Sequence, residues 1–138
     1  MENDPHRILI DAYCREKLSF LQYVGQSVPY ASTADRPIVE RLHELARSEA
    51  AELESLADYL RAKRISVPHI GAFPSAFTNY NFIAVRKLLP QLVADEGRGL
   101  ADLERDAAAL SAGKHRDWIE KLSLTKRMHI SELEKLAA

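Results

Sequence analysis

The sequence predicts an all-α fold, and three observations carry that prediction. Apolar residues recur at three- and four-residue steps through four segments of roughly 23 to 32 residues, which is helical periodicity. No run of alternating polarity is long enough for a strand. The segments are separated by short stretches rich in proline and glycine, the residues that stop helices.

The first helix is expected over residues 6–28. It is followed by the break Val28-Pro29-Tyr30 through Asp35-Arg36-Pro37. The second helix is expected over 35–64, with Asp35 as N-cap, Pro37 in the first turn, and Arg61, Lys63 and Arg64 at the cationic C-terminus. A longer break over residues 65–78 contains Pro68, Gly71 and Pro74. The third helix is expected over 79–110 with Thr78 as its cap. After Ser111-Ala112-Gly113, a fourth helix runs over 114–138.

The links constrain topology. Two short links make the first and second helices one antiparallel hairpin and the third and fourth another. The middle link of about 14 residues reaches ~45 Å when extended, enough to run the ~37 Å length of a 25-residue helix. Links of that length in compact domains normally travel, so this one is expected to cross the whole bundle and leave the second and third helices parallel. It carries Phe73 and Phe77, with Tyr80 and Phe82 just beyond. The 73–82 stretch is therefore expected to pack on the bundle or to form a homodimer contact.

Composition bounds the rest. The chain has 138 residues, 46% apolar and 28% charged, which suits a single domain over 1–138. A net charge of −1 provides no basic field for nucleic acid or an anionic membrane. No apolar run is long enough for a membrane helix, and the opening Met1-Glu2-Asn3-Asp4-Pro5 does not begin a signal peptide; a cytoplasmic location is the expectation. Cys14 is the only cysteine, which excludes an internal disulfide and any Cys-x-x-Cys motif. It reads as a small buried apolar residue.

Each apolar stripe is interrupted near its middle by ionisable residues. Stepping by fours and threes, the first helix gives Leu9, Tyr13, Glu16, Phe20 and Tyr23; the second gives Leu42, Leu45, Glu49, Glu52 and Leu56. The third gives Leu89, Leu92, Glu96, Gly99 and Leu103, and the fourth gives Leu122, Thr125, His129, Glu132 and Leu136. Helices this rich in glutamate place some on any stripe by chance, but here the levels agree. Glu16 lies 16 residues before Ser32 and Glu49 lies 16 after Thr33; Glu96 lies 17 before Gly113 and His129 lies 16 after it. Equal distances from a hairpin turn mean equal height, so Glu16, Glu49, Glu52, Glu96 and His129 are expected to converge on one interior layer.

Unpaired carboxylates in an apolar interior each cost several kcal/mol, or take up a proton. A divalent cation is the usual remedy: hard ions take carboxylate oxygen, and iron and manganese also take imidazole. In helix order, crossover and this ligand spacing, the sequence resembles the ferritin-like superfamily, in its rubrerythrin and bacterioferritin-like branch. Glu16 and Glu96 match the lone glutamates of the first and third helices. Glu49-Ala50-Ala51-Glu52 stands where the second helix would carry Glu-x-x-His. In Lys126-Arg127-Met128-His129 the histidine matches, while Lys126 replaces a bridging glutamate.

The resemblance implies a ferritin-like four-helix bundle binding iron or manganese, with redox chemistry or iron handling as its activity, and Glu16, Glu49, Glu52, Glu96 and His129 as ligands. Lys126 alters the charge balance. Four glutamates against one lysine leave three negative charges, which one ion neutralises or nearly does and two divalent ions exceed. One ion is therefore expected before two. The alternative is a metal-free relative in which Lys126 is paired to the core glutamates and the bundle serves as a binding or structural module. Lys126 lies one position off the strict stripe, so an outward, solvated Lys126 also stays open. The sequence singles out no residue as catalytic.

Other residues carry two readings each. Gly97 and Gly99 with Pro90 suggest either a bulge that aims Glu96 or a kink or close helix approach. Tyr13 is either a hydrogen-bond partner of Glu16 or plain core. Tyr23 and Tyr59 are expected in the core and His43 in solvent. His6, His43, His69 and His115 show no ligand spacing with one another.

Overall fold

A computed structural model describes residues 4–138; Met1-Glu2-Asn3, part of the stretch read above as no leader, lies outside them. The described chain is all-helical, with α1 Pro5–Lys17, α2 Phe20–Gly25, α3 Arg36–Ala62, α4 Val85–Ala109 and α5 Lys114–Ala137. Single 3-10 turns at Thr33–Asp35 and Ser75–Tyr80 precede α3 and α4.

The expected first helix is interrupted. Asp4 caps α1 by accepting the His6 N–H at 3.0 Å, but α1 ends at Lys17. Ser19 then starts α2, its Oγ accepting the Gln22 N–H at 3.2 Å. The Phe20 N–H donates to Asp95 Oδ2 of α4 at 3.0 Å. The stop is thus supported from another helix, and the apolar stripe, which continues unbroken into Phe20 and Tyr23, does not register it. At Gly25 the backbone of α2 meets α3 so closely that a Cβ would fall 2.4 Å from that of Ala46.

The other ends follow the sequence more closely. Pro37 opens α3 as expected, but the Asp35 carboxylate makes no capping bond and pairs instead with Arg86 at 2.8 Å. Lys63 and Arg64 close α3: Ile65 N–H returns to Leu60 O and Arg64 N–H to Arg61 O, both at 2.9 Å, with Arg64 at φ 60°. That is a Schellman close with arginine where glycine is usual. The helix expected from residue 79 begins only at Val85, without a Thr78 cap, because residues 75–80 are drawn into the 3-10 turn. Tyr30 O accepts the Val85 N–H at 2.8 Å, fixing the start of α4 to the α2–α3 link. Gly113 precedes α5 at φ 151°, a conformation open to glycine.

The core has two apolar clusters. One joins Phe20, Leu21 and Val24 of α2 to Ile38–Ala46 positions of α3, Val85–Leu92 positions of α4, and Leu133 of α5. The other joins Leu9, Ala12 and Tyr13 of α1 to Leu53, Leu56 and Leu60, to Leu103 and Ala107, and to Ile119 and Leu122. α3 and α4 therefore both run from the first cluster to the second, while α1–α2 and α5 run the other way. The link after α3 starts against the second cluster through Ile65, Val67 and Ile70, and finishes against the first through Phe77, Tyr80 and Ile83. It travels the length of the molecule. Its rings pack on the helices, Phe77 and Tyr80 lying 5.1 and 5.0 Å from Phe20 between ring centres, whereas Phe82 is 94% exposed. Among the described residues, no helix is long and apolar enough to cross a membrane.

Candidate metal centre

Between the two apolar clusters lies a charged layer. Each long helix contributes to it from its middle and α1 from its last turn: Glu16, Glu49, Glu96, Lys126 and His129, all buried. Lys126 points inward, which settles its orientation against the outward alternative. Its ammonium lies 2.6 Å from Glu16 Oε1, 2.8 Å from Glu96 Oε2 and 3.3 Å from Glu49 Oε1. Three carboxylates from three helices thus meet the three donors of one lysine. His129 Nδ1 donates to the other oxygen of Glu49 at 2.7 Å, so in the uncharged ring Nε2 keeps the lone pair.

The five predicted ligands divide. Glu49, Glu96 and His129 each offer a ligand-type atom within 4.8 Å of the others. Glu16 is outside that group: its Oε1 meets the Lys126 ammonium and its Oε2 faces Arg15 Nε at 3.7 Å. Glu52 is half-buried and accepts from Thr125 Oγ1 at 2.9 Å; it joins Glu16, Glu49 and Lys126 only around a cavity of about 10 Å3. Glu96 is fully buried, and its Oε1 has no hydrogen-bond partner.

Burial and pairing set the protonation states. For Lys126, burial disfavours the charged form, but Glu96, Glu49 and Glu16 outweigh it and raise its pKa further above the usual lysine range. Burial also works against an ionised Glu49; the His129 hydrogen bond and the Lys126 charge overcome it and hold that carboxyl down at about 2. Glu96 goes the other way. Burial raises it well above the carboxylate range, Lys126 opposes, and the charge of Glu49 adds to the rise.

Gly99 shapes the layer from α4. A Cβ there would lie 3.2 Å from Glu16 Oε2 and 3.3 Å from Lys126 Nζ, whereas one at Gly97 would meet nothing within 4 Å. α4 is an uninterrupted α-helix past Pro90, so the expected alternatives resolve to close approach at Gly99 rather than a bulge. Above Gly99 a cavity of about 210 Å3 opens at the α1–α2 break, with Glu16 and Lys126 among its walls and Arg15, Asp95, Arg98 and Asp102 around them.

The neighbouring residues divide between expectations kept and changed. Tyr13 is core and makes no hydrogen bond to Glu16 among the described residues. Cys14 is half-buried rather than buried. His43 is tied by its Nε2 to Ser27 O at 2.7 Å. Tyr23 reaches Asn81 and Tyr59 reaches His115, so neither is plain core. Lys126 is the member of the layer that stripe stepping passed over in favour of Thr125; its signal was its place three residues before His129. The chain matches no family model, no curated protein and no solved structure.

Proposed function

We propose that the chain is a ferritin-like four-helix bundle that binds one metal ion at mid-bundle, between Glu49, Glu96 and His129, with the Lys126 ammonium standing where a second ion would be. The observation that carries this reading is the unpartnered Glu96 Oε1, buried in a layer where Glu49 and His129 also present ligand-type atoms. An ion there would take the place of the proton that burial otherwise favours on Glu96. Two carboxylates and an imidazole suit iron or manganese. Such an ion would supply Lewis-acid or one-electron redox chemistry, or be held as cargo in iron handling. The chain's own residues would orient it: Glu49 fixes the His129 ring, and Lys126 restrains Glu49 and Glu96. Two ions do not fit this donor set, because Lys126 already engages the carboxylates of Glu16, Glu49 and Glu96.

The helix directions and the full-length link support the ferritin-like assignment, and exposed Phe82 supports a homodimer contact through residues 73–82. A second reading, a metal-free bundle serving as a binding or structural module, is favoured by the three carboxylate contacts that Lys126 makes. Metal content by elemental mass spectrometry separates the two, on protein purified without chelators and incubated anaerobically with Fe2+ or Mn2+. One ion per chain, lost in Glu96→Gln, is the expected result. Zero under both conditions rejects the metal reading in favour of the second. In Lys126→Glu the count should rise towards two if the layer binds metal as argued.

A further inference from the structure

A second group of titratable side chains lies at the end of the molecule where α1 and α5 begin. Four rings follow one another there: His6 and His115 with centres 5.2 Å apart, His115 and Tyr59 at 5.6 Å, Tyr59 and Trp118 at 5.8 Å. Tyr59 Oη and His115 Nδ1 are hydrogen-bonded at 3.0 Å. Two cavities flank the row. One, of about 520 Å3, has His6, Ser111, Lys114 and His115 in its wall; the other, of about 300 Å3, has Tyr59, Asp117, Trp118 and Lys121. Lys114 lines both. Each is within the size range of small-molecule sites.

The charge here is unbalanced. Lys121 Nζ stands 4.8 Å from the centre of the Trp118 ring and Lys63 Nζ 5.8 Å from that of Tyr59. Among the described residues, none of Lys63, Lys114 and Lys121 comes within 4.0 Å of a carboxylate, although the arginines elsewhere are largely paired. Asp117 is the one carboxylate lining either cavity. His115 Nε2 is buried without a hydrogen-bond partner. Burial first, and then the charges of His6 and Lys63, depress the His115 pKa, with no carboxylate acting in the other direction. The start of α5 adds its dipole to the same cationic end.

We propose that these adjoining cavities bind a phosphate monoester of an aromatic group, with the phosphate beside Lys114 and the ring against the Tyr59–Trp118 wall. A dianion answers lysines that make no close ion pair and outnumber the one carboxylate, Asp117, in the walls, and lysine serves phosphate as a point charge. A flat ring matches the aromatic wall that runs on from Lys114. The exposed Lys121 side chain can leave the Trp118 face for the phosphate as the ring arrives. This site is separate from the mid-bundle layer and does not depend on metal there.

Trp118 is the only tryptophan, so its emission reports on this wall alone. The test titrates the full chain with phenyl phosphate, and separately with inorganic phosphate and with phenol. Amide shifts at Gly113, Lys114 and His115 are followed by NMR to separate binding from collisional quenching. Phenyl phosphate should bind saturably, roughly tenfold more tightly than either fragment. Lys114→Ala, at an exposed position, and His115→Gln should each weaken it about tenfold with the helical circular dichroism unchanged. Absence of saturation with any probe overturns the proposal. So does phosphate or phenol binding as tightly as phenyl phosphate, or an unchanged affinity in Lys114→Ala.

Discussion

Lys126 Nζ of α5 donates to Glu96 Oε2 of α4 across 2.8 Å, and both side chains are shut off from solvent, at 3% and 0% exposure. The bond is the centre of the charged layer, because the same ammonium also holds Glu16 and Glu49. Removing it leaves three carboxylates facing one another in a dry interior. Lys126→Met should therefore destabilise the fold by about 3–5 kcal/mol near pH 7, the cost of leaving buried charge without its partner. Urea unfolding measures this, and a change below 1 kcal/mol would contradict the contacts described.

Acid should remove part of the stability, through Glu49. Its carboxyl titrates at about 2 in the folded chain against an ordinary 4.5. A depressed folded value stabilises above the unfolded pKa, and the contribution is lost as pH falls from about 4.5 towards 2. Glu96, whose pKa is raised, has the opposite sign and favours the folded state at low pH. Unfolding free energies of the wild type and Glu49→Gln between pH 7 and pH 2 isolate the first effect: the acid-side slope should flatten in the variant.

The two glycines of α4 should respond differently to the same substitution. Gly97→Ala adds a methyl into open space and should stabilise by about 1 kcal/mol through helix propensity. Gly99→Ala places that methyl 3.2 Å from Glu16 Oε2 and 3.3 Å from Lys126 Nζ, so crowding should cancel or reverse the gain. Thermal melting of the pair decides it; equal gains would mean that the layer does not approach Gly99 as described.

Arg64 closes α3 at φ 60°, where a Cβ costs roughly 1–2 kcal/mol. Arg64→Gly keeps both closing hydrogen bonds and removes the steric cost, against a loss of chain entropy. A net gain of up to about 1 kcal/mol in urea unfolding is expected.

Four helical arms, their approximate ends and the long link were legible because stripes and proline-glycine breaks are local signals. The stop at Lys17 was not, since it is supported by Asp95, 75 residues away beside Phe20, while the stripe itself runs on. The start of α4 was read six residues early for a similar reason: Phe77 and Tyr80 have helical spacing, but their rings are drawn onto Phe20. In the charged layer, equal distances from the turns correctly placed Glu16, Glu49, Glu96 and His129. The same stepping misjudged Glu52 and passed over Lys126, because a buried face wider than one row admits residues on either side of the strict line. His6 and His115 stand 109 positions apart, and no spacing rule connects them.

The ion layer also has a consequence for how the helices find one another. Leucine and alanine stripes tolerate sliding and rolling, because many rotations bury similar apolar area. A roll of α5 well short of the ~100° that separates neighbouring residues would already draw Lys126 away from Glu16, Glu49 and Glu96 while leaving much of the apolar contact intact. Three acidic positions on α1, α3 and α4 thus accept a single azimuth of α5, and the layer selects one bundle from among its near-equivalents.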